Sequence, residues 1–343
     1  MAKVGKSRKA AADFAPRYSI AEWFGRDMIA LSPGERQELG RIAAAQDEAG
    51  NLTGAPICPF LASFIPDAKC NKSGGVCSLR KYTPEGLPVE GGQVVTTCPT
   101  RFLQSVGPGE SLFGWISGKM LDTTQFTVVK ETPFLRRTSE LQPLGTLVEA
   151  RDASKPDKKA GRIDWILVNS ETIKTGELEW CAVETQSLYF SGKEMRPEFD
   201  AYAKAPSPVL FPIFSRRPDY RSSGPKRLWP QLDVKVPVLR NWGKKVVVVV
   251  DRFFYSNMNA LTDPSPRAKT DQERRENADV AWFVVDFDSK LNLMKGEVVF
   301  TTLDSSRMAL NATEPLSKAD FTANLRAVMD DAKRKNKVFR VSL

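Results

Sequence analysis

Gly161-Arg162-Ile163-Asp164-Trp165-Ile166-Leu167-Val168 and, after a turn, Trp180-Cys181-Ala182-Val183-Glu184-Thr185-Gln186 are the stretches that decide the fold. The alternation over 161–168 predicts a strand, and 178–189 predicts another. Residues two apart on a strand share a face. Glu184 and Gln186 therefore point one way, while Cys181, Val183 and Thr185 point the other. If the two strands pair as antiparallel neighbours, Asp164 converges on Glu184. Two carboxylates meeting from adjacent strands form an oxygen site for Mg²⁺. The spacing alone leaves a second reading open, in which the acids are exposed hairpin charges. Ile163 beside Asp164 and Val183 beside Glu184 favour the metal reading, because unpaired buried charge is costly.

Working outward, residues 245–255 and 280–287 are apolar, β-branched and aromatic, as buried strands are. Residues 193–203 predict a helix. Ser32-Pro33-Gly34-Glu35 is a helix start with a capping box, running to about Gln46. Residues 317–335 read as a closing helix capped by Ser317. Strands alternating with helices predict an α/β fold, with a mixed central sheet flanked by helices. The chain divides in this reading into an N-terminal helical and four-cysteine region over 1–130 and a main body over 131–343. Two basic stretches, 216–227 and 264–275, read as loops, either merely solvated or in contact with a polyanion.

The chain has 343 residues, 50 Lys plus Arg against 41 Asp plus Glu, and a net charge of +9. That excess fits a nucleic-acid partner. The longest apolar run is far shorter than a bilayer span, and the basic N-terminus lacks the apolar core of a signal peptide. No membrane association and a cytoplasmic location are expected. There is no histidine. This removes Ser-His-Asp and Cys-His catalysis, HExxH zinc peptidases, nucleases with a His base, and mixed Cys/His metal sites.

Residues 50–100 are rich in Gly and Pro and poor in apolar periodicity, so they need another source of order. Cys58, Cys70, Cys77 and Cys98 fall here, with 11, 6 and 20 residues between them. Disulfides are disfavoured in a reducing compartment. Four thiols can hold one tetrahedral metal and so order the segment, or they can be unlinked buried thiols; spacing does not decide. Cys181, opposite Glu184, is expected in the core.

Several features in this order resemble the NotI-type restriction endonucleases of the PD-(D/E)xK nuclease superfamily. They are Arg17-Tyr18-Ser19-Ile20-Ala21-Glu22-Trp23-Phe24-Gly25, Cys58-Pro59-Phe60, Cys98-Pro99-Thr100-Arg101-Phe102, Asp164 and Glu184-Thr185-Gln186. The resemblance implies a homodimeric type II enzyme cutting double-stranded DNA with Mg²⁺, at a site that family analogy makes a GC-rich palindrome. It implies that Asp164 and Glu184 hold the catalytic cation, and that Gln186 stands where most of the superfamily has Lys. It implies a further upstream acid, which Glu149 matches in position; an exposed helix charge is the other reading. It implies a structural iron on Cys58, Cys70, Cys77 and Cys98, with zinc or a cluster still open, so that 1–130 reads as a loop-rich four-cysteine metal-binding region and 131–343 as the endonuclease core. Two other functions compete: a PD-(D/E)xK nuclease of repair or recombination, and a noncatalytic DNA-binding protein with a four-cysteine metal knuckle.

Overall fold

The computed structural model describes residues 15–45, 52–135, 161–312 and 316–330. Its strands are β1 (Arg17–Trp23), β2 (Arg26–Asp27), β3 (Val76–Tyr82), β4 (Val95–Thr96), β5 (Phe126–Leu135), β6 (Gly161–Asn169), β7 (Trp180–Thr185), β8 (Tyr189–Gly192), β9 (Arg216–Asp219), β10 (Val246–Asp251), β11 (Val280–Phe287) and β12 (Leu293–Thr301). The helices used below are α1 (Pro33–Ala44), α2 (Leu112–Met120), α3 (Arg196–Lys204), α4 (Trp229–Asn241), α5 (Arg252–Ser256), α6 (Asp271–Asn277), α7 (Leu303–Asn311) and α8 (Lys318–Asp330).

A six-stranded sheet has the order β12-β11-β10-β7-β6-β5. The β7, β10 and β11 strands run parallel, and β12, β6 and β5 are antiparallel to their neighbours. This is the expected mixed sheet flanked by helices. The valine run of β10 shows why it sits in the middle. Val246, Val248 and Val250 enter one apolar cluster with Ala182, Trp282 and Val284. Val247 and Val249 enter another on the opposite face, with Cys181, Val183 and Phe283. A strand covered on both sides reads as a continuous apolar run. The first cluster also takes in Leu232, Val236 and Leu239 of α4 and residues of the second, four-stranded sheet, β2-β1-β3-β4. Helix α2 covers the other face through Leu112, Phe113 and Ile116.

The predicted helix at Ser32 is present with both halves of its capping box. The closing helix is present as α8, with Ser317 Oγ accepting from Asp320 N at 3.1 Å. The strand expected over 245–255 stops at Asp251, because that side chain accepts from Phe254 N and starts α5. The stretch 50–100 carries regular structure after all. The β3 strand hides from a periodicity reading because its polar residues are buried by partners: Ser78 bonds Glu22, and Arg80 bonds Asp27 and Tyr82. The basic stretch 216–227 is not a loop. It forms β9 and a short helical turn, then a π-helical turn (Gly224–Leu228) leading into α4. The stretch 264–275 ends inside α6. Among the described residues no helix is long and apolar enough to cross a membrane.

Asp251 joins the two sheets. Its carboxylate accepts from Thr96 N of β4 at 2.6 Å and from Phe254 N at 2.7 Å. Burial pushes its pKa from 3.8 up to about 6, against those hydrogen bonds. The folded value lies above the unfolded one, so this group's stabilising contribution is full below about pH 4 and is lost as pH rises through about 6. The stability advantage of wild type over Asp251→Asn should therefore shrink by on the order of 2–3 kcal/mol between pH 4 and 7 in urea unfolding. A gap that does not change with pH contradicts this.

Candidate active site

The β6 and β7 strands pair antiparallel, with Trp165 opposite Val183 and Ile166 opposite Ala182. One step further along this register sets Asp164 opposite Glu184, as the sequence predicts. Asp164 N donates to Glu184 Oε1 at 3.4 Å. Asp164 Oδ2 accepts from Thr185 N at 3.2 Å and from Thr185 Oγ1 at 3.4 Å. Glu184 is 2% exposed, while Asp164 is half-buried. Burial, and then the neighbouring Asp164 carboxylate, push Glu184 up to about 7, although Lys235 pulls the other way. Gln186 follows β7, where its N–H donates to Val249 O at 2.9 Å. Its amide Nε2 donates to Ser187 O at 2.5 Å.

These three residues share a cleft of about 270 Å³ with Lys72, Thr97, Pro99, Arg227 and Gln231. An adjoining recess of about 420 Å³ adds Lys130, and Asp164 borders both. The π-helical turn before α4 delivers Arg227, whose guanidinium lies 3.7 Å from the centre of the Tyr189 ring. Such turns are frequent at functional sites. Arg216, from the same basic stretch, does not join it. It is buried against Glu198 at 2.6 Å and serves the fold.

Two lysines at this site escape the sequence reading, Lys235 and Lys72. Lys235 Nζ lies 2.6 Å from Glu184 Oε1, and both side chains are buried. The signal is present in the sequence: Leu232, Val236 and Leu239 form the buried stripe of α4, and Lys235 occupies a stripe position. Lys72 is also missed, because nothing local marks it; its Nζ is held by Thr97 O at 2.8 Å. Glu149 lies outside the described residues.

The four cysteines of the N-terminal part form no disulfide and come from neighbouring backbone segments. Ile57 and Lys69 form a bridge beside Cys58 and Cys70. Cys98 N donates to Cys77 O at 3.2 Å. Burial pushes Cys70 up to about 11, and the Cys58 and Cys98 thiols add to the rise. Burial also raises Cys77 well above its ordinary value, and Cys98 contributes. Even so, no three of His, Cys, Asp and Glu are drawn together as a metal-holding cluster among the described residues. Cys181 is buried in the core as expected.

The motifs that carry the resemblance meet in space around this segment. Glu22 pairs with Arg101 at 2.7 Å, and the Arg101 guanidinium lies over the Phe60 ring. Gly25 has φ +77°, and a Cβ there would come within 2.3 Å of Pro59. No curated protein matches the chain. The family model described as Restriction endonuclease NotI matches residues 41–299, which is most of the chain. The chain therefore belongs to the NotI restriction endonuclease family, hydrolases that cut DNA at specific sites.

Proposed function

We propose that Asp164 and Glu184 form the cutting site of this restriction endonuclease, and that it works with Mg²⁺ in the manner of the PD-(D/E)xK superfamily. The observation that carries the reading is the meeting of two carboxylates from adjacent strands in a cleft otherwise edged by Lys72 and Arg227. The donor chemistry suits a hard cation. Both side chains offer oxygen, and Mg²⁺ is commonly bound by one or two carboxylates, with water and substrate phosphate completing its shell. Bound there, the cation would neutralise charge on the scissile phosphate and lower the pKa of its water. The protein's own groups do the rest. Lys72, Lys130 and Arg227 attract the phosphate backbone. Gln186 carries no charge and cannot act as a base; its amide orients water or bonds a phosphate oxygen. Glu149 is the further acid in this scheme.

We also place double-stranded DNA in a homodimer of this chain, with a GC-rich palindrome as the target. The four thiols of Cys58, Cys70, Cys77 and Cys98 are a donor set that suits iron or zinc. A metal there would draw them together and order the segment that supplies Lys72 to the cleft. Free thiols and this chemistry suit a cytoplasmic enzyme. Purified protein should contain one iron or zinc per chain by elemental analysis, and the absence of both contradicts the structural metal.

The test of the main reading is digestion of phage DNA with Mg²⁺. Discrete fragments whose ends share one short sequence are expected. A smear would favour a repair or recombination nuclease. Salt-sensitive binding without cutting in any divalent cation would favour a noncatalytic DNA-binding protein.

A further inference from the structure

The α4 helix places a lysine where its packing calls for an apolar side chain. Leu232, Val236 and Leu239 fill the stripe around Lys235. Burying an ammonium is costly unless it is paired. Lys235 is paired twice: with Glu184 Oε1 at 2.6 Å and with Gln231 Oε1 at 3.1 Å, one turn earlier on the same helix. Glu184 Oε1 thus takes the ammonium and the Asp164 N–H. Meanwhile position 186, which would carry a cation in most of the superfamily, holds a neutral amide.

We propose that Lys235 is a positioning residue of the cutting site, supplying from α4 the fixed positive charge that Gln186 lacks. Its ammonium anchors Glu184 by Oε1 and leaves Oε2 for the divalent cation. This rests on the reading of Asp164 and Glu184 as the cutting site. With both carboxylates ionised, the pair and the ammonium sum to one negative charge, so Lys235 partly balances the site. With a divalent cation bound the sum would be positive, which would suit the negative charge that grows on the phosphate in the transition state. Without Lys235 the metal-free site loses the ammonium that contacts Glu184. It should bind a divalent cation more strongly and yet cut more slowly. A lysine with only a structural role would not separate those two effects.

The experiment compares wild type, Lys235→Met, Lys235→Arg, Asp164→Ala and the double variant Glu184→Gln/Lys235→Met. Three quantities are read: the Tm without metal, the rise in Tm on adding Ca²⁺, and the single-turnover cutting rate at saturating Mg²⁺. Lys235→Met should lower the metal-free Tm by about 5–10 °C. It should show a larger Ca²⁺-induced rise than wild type, and cut about 100-fold more slowly. Lys235→Arg should recover part of both the Tm and the rate. Adding Glu184→Gln to Lys235→Met should restore the metal-free Tm, because no uncompensated carboxylate then faces the helix. If Lys235→Met does not fold without metal, the double variant and Lys235→Arg decide. Folding still lost overturns the proposal; folding regained traces the loss to the unpaired Glu184 carboxylate, and partial recovery of the rate by Lys235→Arg then supports the proposal while no recovery overturns it. Cutting at the wild-type rate by Lys235→Met, or a Ca²⁺-induced rise no larger than wild type, also overturns it. Asp164→Ala keeps the two questions apart. If that variant cuts normally, the cutting-site reading fails; if it is dead while Lys235→Met is unimpaired, only the role of Lys235 fails.

Discussion

Asp164→Ala should slow DNA cutting by on the order of 10³-fold or more, with DNA affinity within about threefold of wild type. The two halves of this expectation have different physical sources. Cutting depends on charge gathered at one point, and Asp164 supplies half of the carboxylate oxygen there. Affinity for DNA comes mainly from cations that meet phosphate. Lys72, Lys130 and Arg227 are untouched by the change. The fold should also survive. Asp164 is half-buried, and its presence raises the pKa of Glu184. Removing it relieves that repulsion, so the Tm should stay level or rise. A gel-shift titration beside a single-turnover assay checks both halves. Retained cutting, or binding lost together with cutting, contradicts the expected separation.

Glu22→Ala should cost about 3–5 kcal/mol of stability, a large share of what a domain has. Glu22 and Arg101 are both buried. Arg101 Nε reaches both Glu22 oxygens at 2.7 Å, and Ser78 Oγ donates to Glu22 Oε2 at 2.5 Å. The rest of the guanidinium is spent on Gln104 and on the Leu291 carbonyl. Alanine at position 22 would leave that guanidinium buried without its counter-charge, which costs more than the pair itself contributes. Adding Arg101→Met to Glu22→Ala should therefore recover part of the loss. Urea unfolding measures all three proteins. A loss below about 1 kcal/mol in the single variant, or no recovery in the double, contradicts a buried pair that knits the N-terminal sheet to the segment before α2.

The acidic pair was legible because strand alternation is strict, and the register follows from it. Asp164, Glu184 and Gln186 lie in one cleft as the pattern of two predicts. The central strands were legible because valine runs such as Val246–Val250 leave little else to be. The edges were not. Half of β5 faces outward, with Lys130 and Glu131 among its exposed residues, so its alternation carries charge rather than apolar contrast. The β3 strand was missed for the opposite reason. It is buried, but its polar residues are satisfied by partners far away in the chain. Lys235 shows the same limit at the site. Its place in an apolar stripe is visible in the sequence, yet its partner is 51 residues upstream and only the packing of α4 against the sheet joins them. The quoted motifs around Glu22, Pro59 and Arg101 are far apart in the chain and become one knot only in the folded protein.

The most direct measurement is calorimetric titration of Ca²⁺ into wild type and Asp164→Ala, each with duplex DNA. Ca²⁺ prefers oxygen donors, so it reports on the carboxylate pair and not on the thiols. If Asp164 and Glu184 together hold the cation, wild type should take up Ca²⁺ at a site that Asp164→Ala lacks. Equal uptake by the two proteins would contradict the placement of the cutting site on β6 and β7.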